Sequence, residues 1–332
     1  MAKVGHHGVN QHVLPPSSFR LRFVAGAHRI TDPVRLLQLI CYDFLMPATI
    51  LDGKIIRDLA IPELTKKFAD LGYVPILAII QVGDREDSNA YIRAKIAFGN
   101  KIGVKVDHIK LQEGVKQNEI VEVIKRLNAD QSVKGIIVQL PLPIEIDRDC
   151  VIDTILPSKD VDAITAHNVK RWLDGNDYAL LPATAKGVRT LLEYYKIDLF
   201  GKKVAVVGRS TLVGKPIIAM CLNENATVTV CHSKTIDLAE ITQKVDIIIV
   251  AVGKPNLIRA EHVKVGQIVI DVGINTIEGE KLDDEIVERK ITGDVDFNEV
   301  KLIASAVSPV PGGVGPLTVL SIFQNLLDLC KI

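Results

Sequence analysis

Val204-Ala-Val-Val-Gly-Arg-Ser-Thr-Leu-Val-Gly-Lys-Pro216 decides the fold. An apolar run ends at Gly208, a polar turn follows, and Gly214 and Pro216 lead into a helical stretch, Ile217 to Asn223. Pro216 suits a first helical turn, where its missing N–H costs nothing. Strand, glycine turn and helix in that order aim backbone N–H groups and a helix N-terminus at a bound phosphate. The spacing is neither G-x-G-x-x-G nor G-x-x-x-x-G-K-[ST], so the stretch alone also reads as a structural strand-to-helix turn.

The next apolar run, Ala226 to Cys231, is strand-like and exits into His232-Ser-Lys-Thr235. In a dinucleotide-binding βαβ unit, an Asp or Glu takes the ribose 2′-hydroxyl about twenty residues after the glycines. Here no acid occupies that place; Ser233 and Lys234 do, and Arg209 sits in the glycine turn. A carboxylate would repel a 2′-phosphate, whereas Arg, Ser and Lys hold one. The residues favour NADP over NAD as cofactor, an NAD-using dehydrogenase being the second reading. Two further strands, Asp246 to Val252 and Gln267 to Val272, exit at Gly253 and Gly273, small residues that keep a crevice open.

The chain of 332 residues suffices for two ordinary domains. Hydrophobic content of 48% and charged content of 24% suit a globular protein. Forty basic residues balance forty acidic ones, without a basic stripe, which disfavours nucleic-acid binding. Five scattered cysteines with no C-x-x-C pair argue against a metal site or disulfide framework and fit a reducing compartment, with a cytoplasmic location expected. No apolar run reaches the ~20 residues of a membrane span.

Residues 1–45 differ from the rest, with Arg20, Arg22, Arg29 and Arg35 but no acid before Asp32, and a short leucine-bearing helix from Pro33 to Leu45. They read as a transit peptide, an upstream start or a tail, with Met46 as an alternative start. Strands and helices then alternate: helix Ile55–Leu71, strand Pro75–Val82, helix from Asp84 to Ile102, strand Val104–Leu111, helix Gln117–Asn128 and strand Gly135–Leu140. Such alternation implies parallel pairing with both sheet faces covered. A helix from Lys186 to Lys196 enters the second domain, and an apolar helix, Leu317 to Leu329, returns to the first. The expected architecture is α/β: two α/β domains flanking a cleft, the second a Rossmann-like parallel sheet. Residues 46–185 plus 306–332 form one domain and residues 186–305 the other.

Ser88, Tyr91 and Lys95 fall at i, i+3 and i+7 on one helix face, which reads as a site or as a solvated surface. A lysine there must have its pKa lowered from about 10.4 before it serves as a base. Gln139 stands at a strand's C-terminal end, where open α/β sheets contact ligands. Asp160-Val-Asp162 reads as an acidic, solvated loop. Ser308-Pro-Val-Pro-Gly-Gly-Val-Gly-Pro316 combines fixed and permissive φ, the mark of a shaped, close-approach loop.

In combination, these stretches resemble the bifunctional methylenetetrahydrofolate dehydrogenase/methenyltetrahydrofolate cyclohydrolase family over about residues 47–330. The likeness is carried by Ala48-Thr-Ile-Leu-Asp-Gly-Lys54, Ser88-x-x-Tyr91-x-x-x-Lys95, Val138-Gln-Leu-Pro-Leu142, Lys159-Asp-Val-Asp162, Gly208-Arg-Ser-x-x-Val-Gly-x-Pro216, Cys231-His-Ser233, Gly293-Asp-Val295 and Pro309-Val-Pro-Gly-Gly-Val-Gly-Pro316. The resemblance implies that Lys95 is the catalytic amine, assisted by Gln139 and Tyr91. It implies a folate site made by Tyr91, Ser88, Asp162 and the loop from Pro311 to Gly315, with Pro311, Gly312 and Gly313 touching substrate. It also implies an NADP site at Gly208, Arg209, Ser210, Ser233, Gly253, Gly273 and Ile274, with no metal, and a homodimer acting on tetrahydrofolate derivatives.

The chain departs from the family pattern in places. Ala163 stands where the family usually has Gly, and Ala185 where it has the second proline of Pro-Cys-Thr-Pro. Ser308 and Leu317 replace Thr and Met. Ala163 is expected to add a methyl beside the pterin site, and Ala185 to loosen its turn.

Overall fold

The structure is a computed structural model that describes residues 47–331 apart from 177, 284 and 285. The leader, its short helix and the alternative start all lie outside the described residues.

The first half begins with β1 (Thr49–Ile50), α1 (Gly53–Ala69), β2 (Ile76–Val82), α2 (Glu86–Lys101), β3 (Lys105–Leu111), α3 (Gln117–Ala129) and β4 (Val133–Val138). Then come α4 (Arg148–Asp153), α5 (Ala166–Leu173), α6 (Ala183–Tyr194), β5 (Lys203–Val207), α7 (Gly214–Asn223), β6 (Thr227–Cys231), α8 (Leu238–Thr242), β7 (Ile247–Val250) and β8 (Ile268–Asp271). A hairpin of β9 (Asn275–Asp283) and β10 (Ile286–Thr292) precedes α9 (Phe297–Val300), β11 (Ala306–Val307) and α10 (Val314–Cys330).

Two parallel sheets result. One has the order β3-β2-β4, the other β1-β11-β8-β7-β5-β6. The central strand β2, Ile-Leu-Ala-Ile-Ile-Gln-Val, is buried almost throughout because helices cover both faces. β3, at the edge, alternates exposed and half-buried residues. The same logic separates β7, Ile-Ile-Ile-Val and wholly buried, from β6, whose Thr227 and Thr229 are exposed at the other sheet's edge.

Sequence patterning foresaw the longer elements, other than α5 and the hairpin β9–β10, to within a few residues. It missed β1 and β11, each two residues long, which pair Thr49 with Ala306 and Ile50 with Val307. β11 also pairs with β8, Ala306 with Ile268 and Val307 with Val269. The stretch that begins the closing segment 306–332 is therefore a strand of the larger sheet.

α1 starts at Asp52, whose carboxylate accepts from the N–H groups of Lys54 at 2.7 Å and Ile55 at 3.3 Å. Pro62 lies inside α1 without ending it. α10 is the most buried helix stretch of the closing segment: Leu317, Leu320, Phe323 and Leu326 are at most 1% exposed, and it packs on α1, α2, α6 and β4. Ala185 lies in the first turn of α6 and is fully buried, and the helical bond from Lys186 N–H to Pro182 O at 2.9 Å closes that turn without a second proline.

Candidate active site

β2 ends at Val82, and Gly83, with a φ of +74°, turns the chain towards α2. The predicted face of α2 follows. Ser88 and Lys95 are buried and Tyr91 is 43% exposed at the cleft's rim. On the neighbouring strand, Gln139 N–H bonds Ile80 O at 2.8 Å, extending the pairing of β4 with β2 by one residue. Its side chain then meets Lys95: Nζ donates to Gln139 Oε1 at 3.1 Å, while Gln139 Nε2 donates to Leu140 O at 3.0 Å. That second bond fixes which end of the amide faces the amine. Burial pushes the Lys95 pKa down, and the Asp162 charge pulls it partly back. Burial raises Asp162, while the Lys95 cation opposes that rise.

The loop carrying Asp162 is not solvated as its composition suggests. Asp160 is fully buried, and its Oδ2 accepts from Thr165 N–H at 2.8 Å and Asn168 Nδ2 at 2.9 Å. Asn325 of α10 donates through Nδ2 to Val161 O at 2.8 Å and Leu181 O at 2.9 Å. Ala163 adopts φ +55°, is fully buried, and its carbonyl accepts from Trp172 Nε1 at 3.0 Å. A left-handed residue explains why glycine is usual there. The methyl is accommodated in a small cluster with Trp172 and Ala219.

These side chains converge on a cleft of about 420 Å³. Tyr91, Lys95, Gln139 and Asp162 line it from one side, and Val272 and Ile274, just beyond β8, from the other. Ser88 and the proline-glycine residues Pro311, Gly312 and Gly313 are not on its wall; Val314 and Gly315 are. Instead, that loop docks on α1. Gly53 N–H bonds Gly312 O at 2.9 Å, and a Cβ on Gly53 would stand 1.9 Å from Gly313 O. Ser308 keeps the hydroxyl of the family's threonine in use, its Oγ accepting from Asp271 N–H at 2.8 Å. Gly315 lines the cleft as expected, but sequence reasoning missed the wall formed by Thr318, Val319 and Ile322. Their helical spacing was legible, but α10 is apolar on several faces, so the cleft-facing one was not.

The residues expected to meet the cofactor lie along the larger sheet's C-terminal edge. Gly208 has φ +127°, and a Cβ there would stand 2.2 Å from Ala251 O; one on Gly214 would stand 2.5 Å from Gly208 O. Only glycines close this turn, which Ser210 Oγ completes by accepting from Gly214 N–H at 3.2 Å. Arg209, Ser210 and Ser233 are exposed, and pairing of Val207 with Cys231 sets the exits of β5 and β6 side by side. The exit of β6 carries no carboxylate. A cradle closed by glycines, with exposed Arg and Ser at a helix N-terminus, fits a phosphorylated dinucleotide. Gly253 and Gly273 lie farther along the edge, packed around Asp294 and not on the cleft wall. Asp294 and Asp271 were not foreseen as site-forming residues. Burial pushes the Asp271 carboxyl up to about 7.

Comparison with known proteins agrees with this arrangement. Residues 51–162 match the tetrahydrofolate dehydrogenase/cyclohydrolase catalytic domain, and residues 182–332 the NAD(P)-binding domain of the same family. The bifunctional protein FolD of Lactobacillus helveticus is 42% identical over 85% of this chain and 97% of its own. A crystal structure of bifunctional FolD methylenetetrahydrofolate dehydrogenase/cyclohydrolase from Campylobacter jejuni has a TM-score of 0.80 at 43% identity, covering 86% of this chain and 99% of that one. The Trypanosoma brucei FolD structure, complexed with NADP cofactor and inhibitor, has a TM-score of 0.82 at 35% identity, over 86% and 98%. The chain belongs to the tetrahydrofolate dehydrogenase/cyclohydrolase family.

Proposed function

We propose that one cleft oxidises 5,10-methylenetetrahydrofolate with NADP⁺ and hydrolyses the methenyl product to 10-formyltetrahydrofolate. The observation that carries this reading is a buried lysine amine, held by Gln139 in a cleft whose opposite wall is the strand-exit edge of an NAD(P)-binding sheet. The folate methylene lies between two nitrogens whose lone pairs stabilise the cation left when hydride departs. NADP⁺, when bound, accepts that hydride. The protein's part in this step is orientation and exclusion of water.

Hydrolysis needs proton management. Water adds to the methenyl carbon and loses a proton to give a neutral carbinolamine. One C–N bond then breaks as its nitrogen is protonated, and the carbinol O–H proton leaves to solvent as the formyl C=O forms, a net release of one proton. Lys95, with its pKa lowered by burial, takes the proton and returns it to the departing nitrogen. Gln139 Oε1 anchors the amine. Tyr91 stacks on the folate, Asp162 holds the pterin, and Ser88 supports that face from within α2. The Pro311–Gly313 loop shapes the site through α1 and Gly315. Arg209 and Ser233 receive the 2′-phosphate, Gly208 and Ser210 form the phosphate turn, and Gly253, Gly273 and Ile274 complete the cofactor side.

In the same reading, residues 46–185 plus 306–332 form the folate portion and 186–305 the NADP portion of a cytoplasmic homodimer. Among the described residues no helix is long and apolar enough to cross a membrane.

Purified protein with 5,10-methylenetetrahydrofolate and NADP⁺ should yield reduced cofactor and 10-formyl product with little methenyl build-up. Lys95→Gln should let methenyl accumulate. Absence of cofactor reduction by the wild type would sink the proposal.

A further inference from the structure

Behind the cleft's second wall lies a pair of buried carboxylates for which the reaction above has no use. Asp294 is fully buried, yet its carboxylate accepts four hydrogen bonds. Val252 N–H at 2.7 Å and Gly253 N–H at 3.0 Å reach Oδ2; Lys254 N–H and Asn275 Nδ2, both at 2.8 Å, reach Oδ1. Asp271, 2% exposed, accepts from Gly273 N–H at 2.9 Å and Asp294 N–H at 3.1 Å on one oxygen, and from Val295 N–H at 2.9 Å on the other. The packing is close enough to dictate the neighbours. A Cβ on Gly273 would stand 2.1 Å from Asp294 Cγ, and one on Gly293 would stand 1.9 Å from Asp271 Oδ2.

Three backbone segments are thereby tied together: the turn after β7, the turn after β8, and residues 293–295. The hairpin β9–β10 is inserted between the last two, with Asn275 paired to Thr292 at its base. Without a clamp there, an inserted hairpin would leave the turn after β8 free to move. That turn carries Val272 and Ile274 to the cleft opposite Lys95, and three successive N–H groups converging on one carboxylate make a rigid internal anion nest.

We propose that Asp294 is a positioning residue for hydride transfer, acting through the turns 252–254 and 272–275 to hold the nicotinamide-side wall of the cleft in register with the folate carbon. The proposal rests on the dehydrogenase–cyclohydrolase reading. Because the clamp lies on the cofactor side alone, it separates the two activities: hydride transfer depends on it, and hydrolysis at Lys95 does not. Displacement of the reacting partners by about 1 Å costs about 100-fold in rate.

The test measures NADP⁺-dependent oxidation of methylenetetrahydrofolate, and separately cofactor-free hydrolysis of supplied methenyltetrahydrofolate, in wild type, Asp294→Asn and Asn275→Ala. Asp294→Asn turns an amide N–H towards a donor, and Asn275→Ala removes a single bond. The expected result is a fall in dehydrogenase kcat of about 100-fold in the first and a smaller fall in the second, with little change in KM for NADP⁺ and hydrolysis retained. Should Asp294→Asn fail to fold, Asn275→Ala decides alone. Full dehydrogenase activity in a folded variant, or equal loss of both activities, overturns the clamp. A wild type silent in both assays overturns the underlying reading as well.

Discussion

Burial and mutual attraction make opposing demands on the charges of Lys95 and Asp162. Burial favours the neutral amine, and the Asp162 carboxylate favours the ammonium. If hydrolysis needs the neutral amine, its rate rises with pH through a limb below the ordinary lysine pKa. Asp162→Asn removes the charge that raises Lys95, so the limb should move to lower pH, whatever the variant loses in substrate affinity. The check is a pH–rate profile on supplied methenyl substrate, corrected for spontaneous hydrolysis; movement to higher pH would contradict the assignment. Ala163 offers a stability test. Ala163→Gly relieves about 1–2 kcal/mol of left-handed backbone cost. It gives up about 0.8 kcal/mol of methyl burial and about 0.4–1 kcal/mol through the freer unfolded chain. These terms nearly cancel, so the urea midpoint should hardly move. Ala163→Val puts a β-branched side chain at φ +55° in a buried site and should cost about 3 kcal/mol or more.

At the scale of elements, Lys159 shows what the Lys-Asp-Val-Asp run does besides presenting Asp162. Its Nζ donates to Leu127 O at 2.9 Å, Asn128 O at 2.8 Å and Asp130 O at 2.6 Å, capping the C-terminus of α3. Lys159→Met keeps the stem but leaves those carbonyls without their charged donor, at a cost of about 1.5–3 kcal/mol. Chemical denaturation should register that loss, whereas the Lys95–Gln139 geometry should survive; an unchanged midpoint would mean water replaces the amine. This also shows which elements were legible. β2, β5 and β7 announce themselves because a doubly covered parallel strand is nearly all apolar, and the Ser88–Tyr91–Lys95 face because helical spacing is local. The roles of Lys159, Asp271 and Asp294 rest on side chain-to-backbone bonds between distant segments, which leave no period in the sequence. The strands β1 and β11 are too short to carry a pattern at all.

For the whole molecule, the cleft gathers the C-terminal ends of parallel strands from two sheets. Gln139 follows β4, Val213 the glycine turn after β5, and Ile274 follows β8. A dinucleotide filling this edge binds the folded chain alone, and therefore stabilises it by RT ln(1 + [L]/Kd), about 2.7 kcal/mol at 100 times Kd. Two neighbouring strand exits bring exposed Arg209 and Ser233 to the same side, and under the proposed assignment a 2′-phosphate there would add charge-assisted bonds that NAD⁺ cannot make. At equal concentrations NADP⁺ should raise the melting temperature by several degrees and NAD⁺ by much less. Arg209→Gln should remove most of that difference by lowering the NADP⁺ shift and leaving the NAD⁺ shift in place. Because Arg209 is exposed, the unliganded protein should melt as the wild type does, so any change belongs to binding. A wild-type shift as large with NAD⁺ as with NADP⁺ would show that the missing acid after β6 does not select the phosphate, and would move the source of cofactor choice away from this edge.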